Sequence, residues 1–112
     1  MPTVREIRAR RLAERLDGLR AAMPSLLNAP GQEVWLFGSL ARGDWDAFSD
    51  VDLIAVAPTQ HQADELGERI LGACLADDVL CFDEQGWRRR RQGQDPLWRA
   101  IGRDALRLAG GP

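Results

Sequence analysis

Two short runs of bulky apolar residues stand out in the sequence, Glu33-Val34-Trp35-Leu36-Phe37 and Asp50-Val51-Asp52-Leu53-Ile54-Ala55-Val56. Both are bounded by turn residues and enriched in β-branched or aromatic side chains, which predicts two buried strands. The first run leads directly into Gly38-Ser39. The second opens with an Asp-x-Asp pair and is closed by Pro58. A chain with this spacing must set a glycine turn and two carboxylates at strand ends, with only a turn, a short helix and a loop between them (residues 38 to 49).

The rest of the pattern is helical around these strands. Thr3-Val4-Arg5-Glu6 has capping-box spacing, and Ile7, Leu12, Leu16, Leu19 and Met23 recur mostly at three- and four-residue steps until Pro24 stops the helix. Ser25 to Gln32 reads as a loop. Thr59 and Gln62 repeat the capping spacing before the stripe Ala63, Leu66, Ile70, Ala73 and Cys74, and a third strand is expected over Asp78 to Phe82. The Arg-rich remainder has Trp87, Leu97, Trp98 and Ile101 as apolar anchors, a short edge strand at Ala105 to Leu108, and a frayed Gly-Gly-Pro end. The expectation is one α/β (α+β) domain over residues 1–112, a small mixed sheet flanked by helices.

Composition excludes several classes. Apolar residues make up 45% and charged residues 29%, and no apolar run approaches the roughly 20 residues that span a bilayer. The N-terminus has no secretory apolar segment, so a soluble, cytoplasmic protein is expected. Cys74 and Cys81 both read as reduced core residues. The net charge of −2 and a pI near 5.3 argue against a long nucleic-acid substrate.

Side chains alternate faces along a strand, so Asp50 and Asp52 are expected side by side. Two adjacent carboxylates repel and raise each other's pKa unless a cation neutralises them. Oxygen ligands without His or Cys favour Mg²⁺, which keeps waters and binds substrate phosphates. Gly38-Ser39 opens a helical turn, where free N–H groups favour a phosphate and glycine allows it close approach. The two features together point to a nucleoside triphosphate bound with Mg²⁺.

Leu36-Phe37-Gly38-Ser39-Leu40-Ala41-Arg42-Gly43 followed by Ser49-Asp50-Val51-Asp52-Leu53 closely resembles the signature of the DNA polymerase β-type nucleotidyltransferase superfamily, especially its minimal (MNT) branch. The resemblance implies a palm-like fold. It implies that Asp50 and Asp52 hold two Mg²⁺ ions, and that a third carboxylate on the next strand, Asp78, ligates metal and deprotonates the attacking hydroxyl. Asp77 precedes it where the family is usually apolar, so either residue can supply that face; register favours Asp78. Gly38 and Ser39 then cradle phosphate, while Arg42 either contacts phosphate or braces the turn. ATP or another nucleoside triphosphate is the implied donor. Minimal members often work beside a separate helical HEPN protein as the antitoxin of a toxin–antitoxin pair, some by transferring AMP to it, which implies a hetero-oligomer, with a homo-oligomer as the alternative. The competing readings are a catalytically silent nucleotide-binding antitoxin and, ranked last, an antibiotic nucleotidyltransferase.

Other features have plainer readings. Trp45 and Phe48 cap the core or stack on a base, and Asp44 and Asp46 end the short helix. His61 reads as a surface residue without a role. Arg88 to Arg91 read as a solvated helical face, with Arg99, Arg103 and Arg107 extending a positive bias toward triphosphate or an acidic partner.

Overall fold

The computed structural model describes residues 1–43 and 50–111. Its elements run α1 (Val4–Ala22), a 3-10 turn (Pro24–Leu26), β1 (Glu33–Phe37), α2 (Ser39–Arg42), β2 (Asp52–Ala57), α3 (Gln60–Gly72), β3 (Asp78–Asp83), α4 (Glu84–Gln92), α5 (Pro96–Asp104) and β4 (Leu106–Gly110). Among the described residues four strands form one mixed sheet in the order β3-β2-β1-β4. β1 is antiparallel to both β2 and β4, whereas β2 and β3 are parallel. A parallel pair needs a long crossover, and α3 supplies it. The mixed α/β class expected from the sequence is the one observed.

Because β2 is central and covered on both faces, Leu53 to Ala57 are all buried. Strand alternation divides its side chains. Leu53 and Ala55 join Val34, Leu36, Leu66 and Ile70 in one core with Leu19 and Met23 from the end of α1. Ile54 and Val56 face the other way, into a cluster of Trp35, Phe82, Trp87, Trp98 and Ile101 beneath α4 and α5. Trp87 anchors that second layer. Its ring lies 5.7 Å from Trp35 and stacks 6.3 Å from Phe82, spacings at which aromatic pairs attract.

Several boundaries depart from the sequence reading. The Thr3–Glu6 capping box forms on α1, but Val4 and Ile7 are exposed, and within the helix only Leu19 is buried. The stripe therefore packs through its last turns. On α3, Ala63, Leu66 and Ile70 are buried, while Ala73 and Cys74 lie past the helix end, exposed.

Cys74 is thus not a core residue. It takes a left-handed conformation, φ 58°, and its N–H and that of Leu75 reach back to Leu71 and Ile70. That is the Schellman closure, where glycine usually stands. Cys81 does pack, partly buried, and burial aided by Asp64 and Glu68 pushes its thiol pKa up.

Leu97, expected as an anchor, is 63% exposed. The arginine run is only half solvated: Arg88 and Arg89 are exposed, but Arg90 lies 4.1 Å over the Phe82 ring and Arg91 5.0 Å over Trp35. β4 extends further than expected, to Gly110, along β1. Trp45, Phe48, Asp44 and Asp46 lie outside the described residues. Among the described residues no helix is long and apolar enough to cross a membrane.

Candidate functional site

The antiparallel register sets Phe37, the last residue of β1, opposite Asp52, the first of β2. The chain leaving β1 therefore turns beside the Asp52 carboxylate. Gly38 makes that turn with φ 79° and ψ −158°, a region essentially closed to side-chain-bearing residues. It also caps α2, a helix too short to persist by its own hydrogen bonds. Leu40, 1% exposed, holds α2 to the core, a burial contributing about 1.5–3 kcal/mol. Gly43 ends α2 in the left-handed conformation.

On the other side of β2, parallel pairing sets Asp52 against Asp78. Asp52 and Asp78 stand two residues before Ile54 and Leu80 on their strands and share their face, so both carboxylates lie on the side of the sheet covered by α4 and α5. Asp52 is half-buried. Burial raises its pKa above the ordinary 3.8, and Asp50, Asp78 and Asp77 raise it further. Asp50 lies just outside the strand, exposed, yet close enough to take part in that repulsion.

Asp77 has a different task. Its Oδ2 accepts the Val51 N–H at 2.7 Å, while the N–H groups of Asp77 and Asp78 donate to the Val51 carbonyl at 2.9 and 3.3 Å. Asp77 thus ties the start of β3 to the residue between Asp50 and Asp52.

Oxygen-only donors carrying mutual repulsion suit a hard divalent cation, which relieves that repulsion. The chemistry of the set fits Mg²⁺. Among the described residues, however, no three His, Cys, Asp or Glu side chains are gathered closely enough to hold an ion by themselves. Substrate oxygens and waters are needed to complete such a shell.

A cavity of about 350 Å³ opens beside the turn, lined by Phe37, Gly38 and Arg42 on one side. Its other wall is α5, through Leu97, Ala100, Ile101 and Asp104, with Arg103. Sequence reasoning missed this wall. Its signal was present: positions 97, 100, 101 and 104 follow helical spacing, and Asp95 with Pro96 marks the helix start, its side chain accepting the Leu97 N–H at 2.9 Å. That stripe reads as core packing; Ile101 does pack against the Trp87 cluster, but the stripe also borders a cavity. His61 is exposed and paired with Glu65 at 2.8 Å on α3, as a surface residue without a role.

The family model of the nucleotidyltransferase domain matches residues 16–92, which include the glycine turn and all four acidic residues of the site. A crystal structure of a toxin–antitoxin with AMP-PNP is similar at 20% identity, with a TM-score of 0.46, over 88% of this chain and 73% of that one. No curated protein matches the sequence. The match over most of the chain is decisive: this protein belongs to the nucleotidyltransferase domain family and is a transferase of nucleotidyl groups.

Proposed function

We propose that residues 1–112 act as one Mg²⁺-dependent nucleotidyltransferase domain that moves AMP from ATP to a hydroxyl on a separate, helical HEPN-type protein, as the antitoxin of a toxin–antitoxin pair. The observation that carries the enzymatic part is the register that pairs Asp52 with Asp78 on one face, with Gly38 turning beside Asp52. The partner and the AMP donor rest on the resemblance of residues 36–53 to minimal nucleotidyltransferases.

In this reading the acceptor oxygen attacks the α-phosphorus in line, the bond to the bridging oxygen breaks, and pyrophosphate leaves with that electron pair. Asp78 takes the hydroxyl proton. Asp50, Asp52 and Asp78 would hold Mg²⁺, which would neutralise the phosphate oxygens and supply the Lewis acidity of the site. Gly38 and Ser39 seat the phosphates at the opening of α2, with Arg42 beside them. Orientation and charge neutralisation account for most of the rate.

A second reading, a nucleotide-binding antitoxin without turnover, is favoured by the lack of a three-carboxylate cluster among the described residues. One experiment separates the two. The protein is incubated with Mg²⁺, α-labelled ATP and the product of the neighbouring gene, alongside Asp50→Asn and Asp52→Asn. Label on the partner that both variants abolish supports transfer; a stable complex without label supports the silent module; the absence of both label and complex overturns the partner assignment.

A further inference from the structure

A second, larger cavity of about 620 Å³ lies where the end of α4 meets α5. Arg91, Arg99 and Arg103 line it, and none of its described lining residues is acidic. This is unexpected in a chain of net charge −2. The charge is segregated: residues 84–112 carry seven arginines against three carboxylates. Arg103 and Ala100 line both this groove and the cavity at Gly38, so the two adjoin along α5.

The groove is built rather than incidental. Arg91 is held with its guanidinium 5.0 Å from the Trp35 ring and 5.4 Å from Trp87, where cation–π attraction fixes it, and its Nε is buried without a hydrogen-bond partner. α5 approaches this arginine closely because Gly102 has no side chain; a Cβ there stands 3.0 Å from Arg91 Cγ. Fixing a guanidinium in advance lowers the entropic cost of binding an anion.

We propose that this groove docks an acidic segment of a protein partner. Arg99 presents a forked donor to carboxylates, Arg103 shares its Nε with Asp104 at 3.4 Å and keeps its terminal N–H groups, Arg91 adds its fixed charge, and Gln92 and Gln94 offer amides to an extended backbone. A single-stranded nucleic acid fits less well, because such strands bind by stacking on aromatic rings and no aromatic side chain lines the groove among the described residues. The segment leads from the groove toward Gly38. That its protein also carries the accepting hydroxyl rests on the function proposed above.

The test is binding of fluorescein-labelled deca-glutamate by anisotropy at low salt, without nucleotide or metal. Arg99 and Arg103 are exposed, so Arg99→Gln/Arg103→Gln is expected to fold and to weaken the peptide about tenfold. Arg8→Gln/Arg11→Gln on α1 removes the same charge elsewhere and is expected to change binding less than twofold. Asp52→Asn is expected to bind the peptide at least as well as the unmodified protein, which separates docking from catalysis. The proposal is overturned by no binding, by equal losses in both arginine pairs, by tighter binding of a twelve-nucleotide RNA, or by tripolyphosphate alone occupying the site.

Discussion

A Cβ at position 38 stands 2.9 Å from Asp52 Oδ2, inside the distance real Cβ contacts keep. The turn and the start of β2 are thus fitted to each other through the absence of one carbon atom. Both the positive φ and the carboxylate exclude any other residue, so Gly38→Ala must either displace Asp52 or unfold the turn.

Gly38→Ala is accordingly expected to abolish nucleotidyl transfer and to cost about 1–3 kcal/mol, the usual range for forced backbone outliers. Gly18→Ala is the control, since a Cβ there meets nothing within 4 Å in the middle of α1. That variant should gain about 0.5–1 kcal/mol. Urea midpoints and labelled-nucleotide transfer check both; an active Gly38→Ala protein refutes the assigned turn.

Asp52 gives a pH signature. Its folded pKa is raised by burial and then by Asp50, Asp78 and Asp77, so the native state holds the proton more tightly than the unfolded chain. Without metal, its contribution to stability falls as pH rises from about 3.8 through the raised value and stays low above it. Asp52→Asn removes the repulsion and should be the more stable protein at pH 7, by about 0.2–1 kcal/mol on the scale of directly opposed like charges, the difference closing near pH 3. Mg²⁺ should stabilise the unmodified protein at pH 7 and not the variant. Melting temperatures across pH, with and without Mg²⁺, decide it.

Much of this was legible in the sequence. Val34 and Leu36 alternate with Trp35 and Phe37, and β1 forms over the five residues that alternation marks. Thr3 and Glu6 cap α1 as their spacing requires. What a single chain cannot display is what lies opposite. Leu97 and Ile101 carry the same apolar signal, but Leu97 faces a cavity, because helical periodicity defines a stripe without naming what covers it. Arg90 and Arg91 read as solvated charge because Phe82 and Trp35, which they stack on, come from other elements. Asp50 and Asp52 were expected as strand neighbours; β2 starts only at Asp52, since the backbone at Val51 is bound to Asp77 and Asp78 instead.

Cys74 offers a stability gain unconnected with the site. A left-handed conformation costs a side-chain-bearing residue about 1–2 kcal/mol, and glycine nothing. Cys74→Gly retains the closing bonds to Ile70 and Leu71 and should raise stability by about 1 kcal/mol, with transfer unchanged. Thiol labelling should also find Cys74 before Cys81, whose raised pKa and contact with Gly67 keep it protonated and covered.

The two consecutive acids at the start of β3 should separate cleanly by mutation. Asp77 is engaged by the Val51 N–H at 2.7 Å, so Asp77→Ala leaves a part-buried donor without its carboxylate and is expected to cost about 1–3 kcal/mol. Its remaining activity should follow the folded fraction and return on cooling or with a stabilising ligand. Asp78 is exposed and in register with Asp52, so Asp78→Asn should leave the urea midpoint unchanged or slightly raised. Its kcat should fall by about a hundredfold or more, the usual effect of losing a positioned proton acceptor. The opposite outcome, with Asp77→Ala folded but inert and Asp78→Asn active, moves the third carboxylate one residue back. The strand would then present Asp77 to the substrate only by releasing Val51, and amide exchange at Val51 would report that opening directly.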